Sequence, residues 1–266
     1  MIKVIEVKDL DGLMPLITDQ EYRPDMSRYR DWHVYRGMSD VSFRLVTSLA
    51  RNCREQMAFL EPAILKNFTK YAAREDPSIE KSVWRQMILG QHHGLPTRLL
   101  DWTHSPLIGL HFATTEADLD DMENHDSVVW RIDIKELHAM LPERYLAVLR
   151  ANKTSIFSVD MLNEVAAAPE QYDSDMGSRS MVVLEPPSID PRIINQYSFF
   201  SVIPAAMTDI EDFLEHNTNN TTKYIIKREM RWRVRDMLDQ LNVSERIVYP
   251  GLDGLSHWIG RHYYVR

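Results

Sequence analysis

The sequence predicts one α+β domain whose core is a mixed or antiparallel sheet surrounded by helices. Three observations lead there. Strand-like and helix-like segments interleave without the regular alternation that a doubly wound parallel sheet requires. No internal repeat, low-complexity tract or Gly/Ser linker divides the chain. The 266 residues, 44% hydrophobic and 26% charged, are enough to bury roughly three quarters of the unfolded surface around one core.

Taken in order, the first buried strand is expected at 33–38 (HVYRGM), after a polar approach over 18–31 that contains proline and aspartates. Residues 1–30 then form an N-terminal extension packed on a domain of 31–266. A helix is expected over 54–74, because Met57, Leu60, Ile64, Leu65, Phe68 and Tyr71 recur at three- and four-residue steps. A second, over 79–90, collects Val83, Met87 and Ile88 on one side and stops near Gly90 and Gly94. Segment 97–102 is short, apolar and bounded by turn signals. Ser105 as N-cap with Pro106 in the first helical position then opens an apolar helix to about 118. A strand is expected at 127–134 (SVVWRIDI) and a helix at 135–150 with an irregularity at Pro142. Further strands are expected at 181–185, 198–203 and 223–227. Thr208 and Glu211 have capping-box spacing, so 209–216 should be helical. Helices around 228–241 and 252–261 end the chain.

Composition excludes several function classes. The single cysteine, Cys53, rules out an intramolecular disulfide and thiolate-rich zinc sites, and fits a reducing compartment. The acid-containing N-terminus has no continuous apolar run of the signal-peptide kind. No stretch approaches the 18 apolar residues of a membrane span. A cytoplasmic protein without a membrane partner is expected. Against 31 Lys and Arg stand 39 Asp and Glu, a net charge of −8, which argues against a generally basic nucleic-acid coat. The charge is uneven. Glu116, Asp118, Asp120, Asp121, Glu123 and Asp126 crowd one stretch, and Lys223, Lys227, Arg228, Arg231, Arg233 and Arg235 another. Each is either a solvated face or, for the basic run, a local surface for an anionic strand.

The common phosphate-loop, dinucleotide, nucleophile-elbow and zinc-protease patterns are missing. What remains is polar residues in apolar context, in three blocks. In VYRGMSD, Arg36 and Gly37 follow two apolar strand residues. A guanidinium offers a forked set of donors for phosphate, and glycine lets a ligand approach the backbone. A buried ion pair followed by a turn would use the same residues. The second block, QHHGLPTRLLDWTHSPLIGLHFA at 91–113, sets Thr97, Arg98, Asp101, Thr103 and Ser105 before a helix start whose free N–H groups favour an anion. Arg98 and Asp101 equally suit a buried pair that orders the loop. His92, His93, His104 and His111 do not make a metal site on spacing, so no metal is expected. The third block, EPPSIDPRIINQYSFFSV at 185–202, carries Glu185 at a strand end and Arg192 and Gln196 before an aromatic strand.

YRG, HGLPTRLLDWTHSPLIGLHFA, PRIINQYSFFSV and VYPGLDGLSHWI together resemble the FRG domain family, named for a Phe/Tyr-Arg-Gly motif. The likeness runs from Tyr35 to Trp258, and its most specific part is TRLLDWT. Such domains occur in bacteria and their mobile elements, which implies a defence or toxin-type effector. More distantly the pattern resembles ADP-ribosyltransferases of the Arg-Ser-Glu type. That likeness implies NAD as substrate: Tyr35, Arg36 and Gly37 at the ribose, phosphates and nicotinamide amide, and Thr97 and Thr103 in place of the middle Ser/Thr motif. Arg98, Ser105 and Arg192 would add cofactor contacts. Where that group has a glutamate this chain has Gln196, and an amide offers only a dipole to the oxocarbenium-like ribose. Asp101 or Glu185 would have to supply the carboxylate.

Three functions are therefore carried forward. The first is an enzyme acting on NAD or a nucleotide, transferring ADP-ribose to nucleic acid or protein or hydrolysing NAD, with 223–235 as the place for an anionic acceptor. The second is a non-catalytic nucleotide- or nucleic-acid-sensing module that activates a partner. The third, a metal-free nuclease using Arg98, Asp101 and a histidine, has no paired-carboxylate signature. Oligomeric state is not legible.

Overall fold

Strands buried on both faces build the central sheet, and the computed structural model describes residues 1–74, 79 and 81–265. Its strands are β1 (Lys3–Val7), β4 (His33–Met38), β5 (Leu99–Thr103), β6 (Ser127–Asp133), β7 (Phe157–Ser158), β8 (Val182–Glu185), β9 (Ser198–Val202) and β10 (Thr222–Ile226). They lie in the order β1-β10-β6-β4-β5-β9-β8-β7. β1 with β10 and β7 with β8 are parallel, and the other neighbours are antiparallel. The fold is thus α+β with a mixed sheet. β2 (Glu21–Arg23) and β3 (Arg28–Arg30) form a separate hairpin.

Helices cover both faces. In chain order they are α1 (Met14–Thr18), α2 (Ser48–Cys53), α3 (Met57–Ala72), α4 (Val83–His92), α5 (Pro106–Ala113), α6 (Ile134–Ala139) and α7 (Glu143–Ala151). There follow α8 (Val159–Val165), α9 (Pro169–Met176), α10 (Pro191–Asn195), α11 (Ile210–Asn217), α12 (Arg228–Gln240), α13 (Glu245–Val248) and α14 (Leu252–His262). One face carries two separate apolar clusters. Under β1, β10, β6 and β4, Val7, Tyr35, Val129, Tyr224 and Ile226 pack on α5 and α12 through Leu110, Ala113, Val234 and Leu238. Under β5, β9, β8 and β7, Leu99, Phe200, Val202, Val182 and Leu184 pack on α4, α7, α8 and α9. The opposite face has one cluster running across both halves, with Val34, Trp102, Trp130, Val183 and Phe199 under α6 and α11. Each fully buried leucine in these clusters contributes roughly 1.5–3 kcal/mol.

Several elements differ from expectation for identifiable reasons. The first strand of the sheet is Lys3–Val7, not 33–38. Only Val7 of its side chains is buried, so it carries no strong apolar signal. The expected helix at 79–90 is Val83–His92, begun by the Ser82 cap, and residue 80 of its expected start lies outside the described residues. α5 stops at Ala113 rather than near 118. The Thr114 and Thr115 hydroxyls donate to the carbonyls of Leu110 (2.8 Å) and His111 (2.7 Å), and Arg231 donates to that of Ala113 (3.3 Å). Pro142 separates α6 from α7 instead of bending one helix. The cap of α11 is Asp209, which accepts from the Asp212 amide at 3.1 Å. Glu211, the expected capping-box partner of Thr208, instead accepts from the Leu45 amide at 2.9 Å. Among the described residues no helix is long and apolar enough to cross a membrane.

Candidate functional site

β4 and β5 are joined by one residue pair, Tyr35 with Thr103. Beyond it the strands part, because β4 follows β6 through Met38 while β5 follows β9 through Leu99. A cavity of about 270 Å³ occupies the split. It is lined by Arg36 and Gly37 of β4, Gln91 and His92 of α4, Asp101 and Thr103 of β5, and Phe112 of α5. Arg192, Gln196, Ser198 and Phe200 close the far side. Residues from Arg36 to Phe200 are thereby brought to one cleft.

Arg36 reaches across the opening. Its Nη1 donates to the Asp101 carbonyl at 2.7 Å and lies 3.6 Å from the Asp101 carboxylate. Its Nε is buried and has no partner among the described residues. Burial pulls the guanidinium below the ordinary arginine range, and Asp101 only partly opposes this. Asp101 is the one carboxylate among the described residues lining the cleft, and about half of its side chain meets solvent. Both its oxygens accept from the Gln91 amide at 3.0 Å, while the Gln91 carbonyl accepts from the Thr97 hydroxyl at 2.6 Å. Sequence reasoning missed Gln91. A glutamine at the end of an apolar helix gives no signal of its own.

Thr103 donates to the Gln196 carbonyl at 2.6 Å and accepts from the Ser105 amide at 3.1 Å. It therefore stitches β5 to the start of β9. The Gln196 side chain donates to the Val248 carbonyl at 3.3 Å. Arg192 is exposed, its guanidinium laid over the Tyr249 ring at 5.0 Å. His92 lies 3.4 Å from Asp190, and burial lowers its pKa against the pull of that carboxylate.

Other expected site residues face elsewhere. The Tyr35 side chain is in the core, its hydroxyl donating to Asp31 at 2.6 Å, so only its backbone side borders the split. At Gly37 an added Cβ would stand 1.9 Å from the Gly109 carbonyl oxygen and 2.5 Å from the Ala113 amide. The missing side chain there serves the close crossing of α5, while the residue itself also borders the cleft. Arg98 turns away into a closed cluster: Nε donates to Glu61 at 2.8 Å and Nη1 to Asp173 at 2.7 Å, with Nη2 also on Glu61. Burial opposes its charge, yet the two carboxylates outweigh that and raise its pKa. Ser105 caps α5 and borders a different hollow, beside Tyr29 and Tyr197. Glu185 is exposed at the β7 side of β8 and does not line the cleft.

The basic run is split between inward and outward residues, with Arg228 and Arg233 exposed. Arg231 and Arg235 are fully buried, Arg231 donating to Glu116 at 2.6 Å and Arg235 to His111 Nδ1 at 2.7 Å. Lys227 pairs with Asp126 at 2.7 Å, Arg228 with Glu229 at 3.3 Å, and Lys223 lies over Trp130. Of the histidines, His104 is 3.0 Å from the His33 carbonyl, and burial, then Arg235, push His111 down to about 3.

The FRG domain family model matches residues 31–122. The chain carries an FRG domain. That segment holds both lips of the split, with Arg36, Gln91, Asp101, Thr103 and Phe112. The rest of the cleft wall, Arg192, Ile193, Gln196, Ser198 and Phe200, comes from outside it. No curated protein and no solved structure matches the chain.

Proposed function

We propose that the cleft of the FRG domain binds a nucleotide-type anion, and that its leading reaction is cleavage of NAD at the nicotinamide glycosidic bond. ADP-ribose passes to a nucleic-acid or protein acceptor, or to water. The observation that carries this reading is the Arg36 guanidinium, held in the split with Nη1 3.6 Å from the solvent-facing carboxylate of Asp101 and Nε without a partner among the described residues. Arg36 and Arg192 hold phosphate oxygens, which a guanidinium fork suits geometrically. Phe112 and Phe200 supply apolar wall for a ring. As the bond from ribose to the pyridinium nitrogen breaks, its electron pair leaves with nicotinamide, which departs neutral. The positive charge left on the ribose is stabilised by Asp101 until the acceptor oxygen or nitrogen attacks. Such an activity suits an effector of the defence or toxin kind.

Gln196 favours a second reading, in which the cleft binds the nucleotide without turnover and activates a partner. By the sequence resemblance its amide would take the place of the transferases' carboxylate, and its side chain is tied to the Val248 carbonyl. Incubation of the purified protein with NAD, with and without nucleic acid, decides between the two. The enzyme releases nicotinamide, and Asp101→Asn melts at the parental temperature but loses most turnover, about 100-fold or more for loss of a charge aimed at the reacting centre. Saturable binding of ADP-ribose without nicotinamide release establishes the binding module. Release at the parental rate by folded Asp101→Asn removes Asp101 from the chemistry.

A further inference from the structure

We infer that Gln91, set by Thr97, is the positioning residue that keeps Arg36 and Asp101 apart and so keeps the cleft open. The hydrogen-bond directions leave one arrangement. The Thr97 hydroxyl accepts from the Leu99 amide at 3.1 Å, so its single proton is free for the Gln91 oxygen at 2.6 Å. With that oxygen committed as acceptor, the Gln91 nitrogen is turned toward Asp101 and lies 3.0 Å from both carboxylate oxygens. Thr97 itself is nearly fully buried, and Ser48 holds its backbone by accepting from its amide at 3.1 Å. The orientation of Asp101 thus derives from a rigid buried hydroxyl two hydrogen bonds away.

The consequence falls on Arg36. A guanidinium and a carboxylate this close ordinarily close into a forked pair with two parallel hydrogen bonds. Arg98 and Glu61 do so in the same protein. Arg36 and Asp101 make only a loose ion pair: the nearest carboxylate oxygen is 3.6 Å from Nη1, and Nε has no partner among the described residues. The Gln91 nitrogen already spans both carboxylate oxygens, where a fork would sit, and the Asp101 backbone carbonyl takes the Nη1 proton instead. One cation and one anion therefore both remain available to a ligand. This inference builds on the proposed nucleotide cleft, but its structural half is independent of it.

The test uses Gln91→Leu, Thr97→Val and Thr97→Ser in the full chain. The first two remove the restraint, and Thr97→Ser keeps the hydroxyl. Crystal structures and the NMR signal of the Arg36 Nε–H read the geometry directly. We expect Gln91→Leu and Thr97→Val to bring an Asp101 oxygen to hydrogen-bond distance of Arg36 Nε, with a downfield Nε–H signal, and Thr97→Ser to restore the open form. Calorimetry with ADP-ribose should show binding weakened about tenfold to a hundredfold in the closed variants, the scale of a lost hydrogen bond to a charged group. If ADP-ribose binds none of the proteins but the pair closes as described, the nucleotide reading fails and the positioning role stands. An Asp101 that stays 3.6 Å from Arg36 in both Gln91→Leu and Thr97→Val overturns the positioning role, whatever ADP-ribose does.

Discussion

Two arginines at the middle strands of the same sheet, Arg36 on β4 and Arg98 just before β5, meet opposite fates. Arg98 has two carboxylates, Glu61 and Asp173, around one buried guanidinium, and together they raise its pKa. Arg36 has one carboxylate, held off by an amide, and burial lowers its pKa. The first is a finished ion cluster that ties α3 and α9 to the start of β5. The second is an unfinished one at a gap in the sheet. What separates a structural arginine from a candidate binding arginine here is whether the protein itself supplies the anions.

The largest effect should follow from breaking the finished cluster. Arg98→Ala leaves Glu61 and Asp173 facing each other without their cation, and should cost about 3–5 kcal/mol, the usual penalty for removing one member of a buried ion pair. Urea denaturation checks this, and an Arg98→Ala midpoint equal to the parental one would put Arg98 in the same class as Arg36.

Acid sharpens the same contrast on a neutral group. His138 is buried on α6, its Nε2 accepting from the Val183 amide at 3.0 Å and its Nδ1 lying 2.9 Å from the Ser155 carbonyl. Burial pushes its pKa down to about 4. In the unfolded chain a histidine titrates near 6.5. The unfolded state therefore takes up the proton first, so the stabilisation is complete above about pH 6.5 and is lost as pH falls toward 4. His111, pushed down to about 3, acts in the same direction. The His138 share amounts to on the order of 3 kcal/mol at full extent. Urea midpoints should fall steadily between pH 7 and pH 5. A flat profile over that range would mean that His138 is not held neutral.

The sequence made half of this contrast visible. The strand at 33–38 was legible from its apolar residues, and α5 from the Ser105 cap with Pro106. The three polar blocks were legible because polar residues in apolar context stand out. Arg36 and Arg98 looked alike, since each precedes or follows an apolar strand run. The partners that distinguish them are remote: Glu61 lies 37 positions from Arg98, and Asp173 lies 75. Gly37 illustrates the same limit. Glycine after arginine reads equally as a ligand approach or a helix crossing, and only the position of Gly109 reveals the crossing. Within the basic run at 223–235, helical spacing turns Arg231 and Arg235 inward together, four residues apart on one face of α12, which charge counting does not reveal. Glu185 and Gln196 depended on which strand ends meet at the split, which local sequence does not encode.

The smallest expected change in stability carries the most weight for function. Because Arg36 completes no ion cluster and its Nη1 bond goes to a backbone carbonyl, Arg36→Ala should melt within about 1 kcal/mol of the parental protein. Calorimetric titration of ADP-ribose into the parental chain and into Arg36→Ala, with melts of both, tests the central claim most directly. The account predicts saturable one-site binding to the parental protein that disappears in Arg36→Ala at nearly unchanged melting temperature. Equal binding by both proteins, or an Arg36→Ala variant that melts as early as Arg98→Ala, would contradict it.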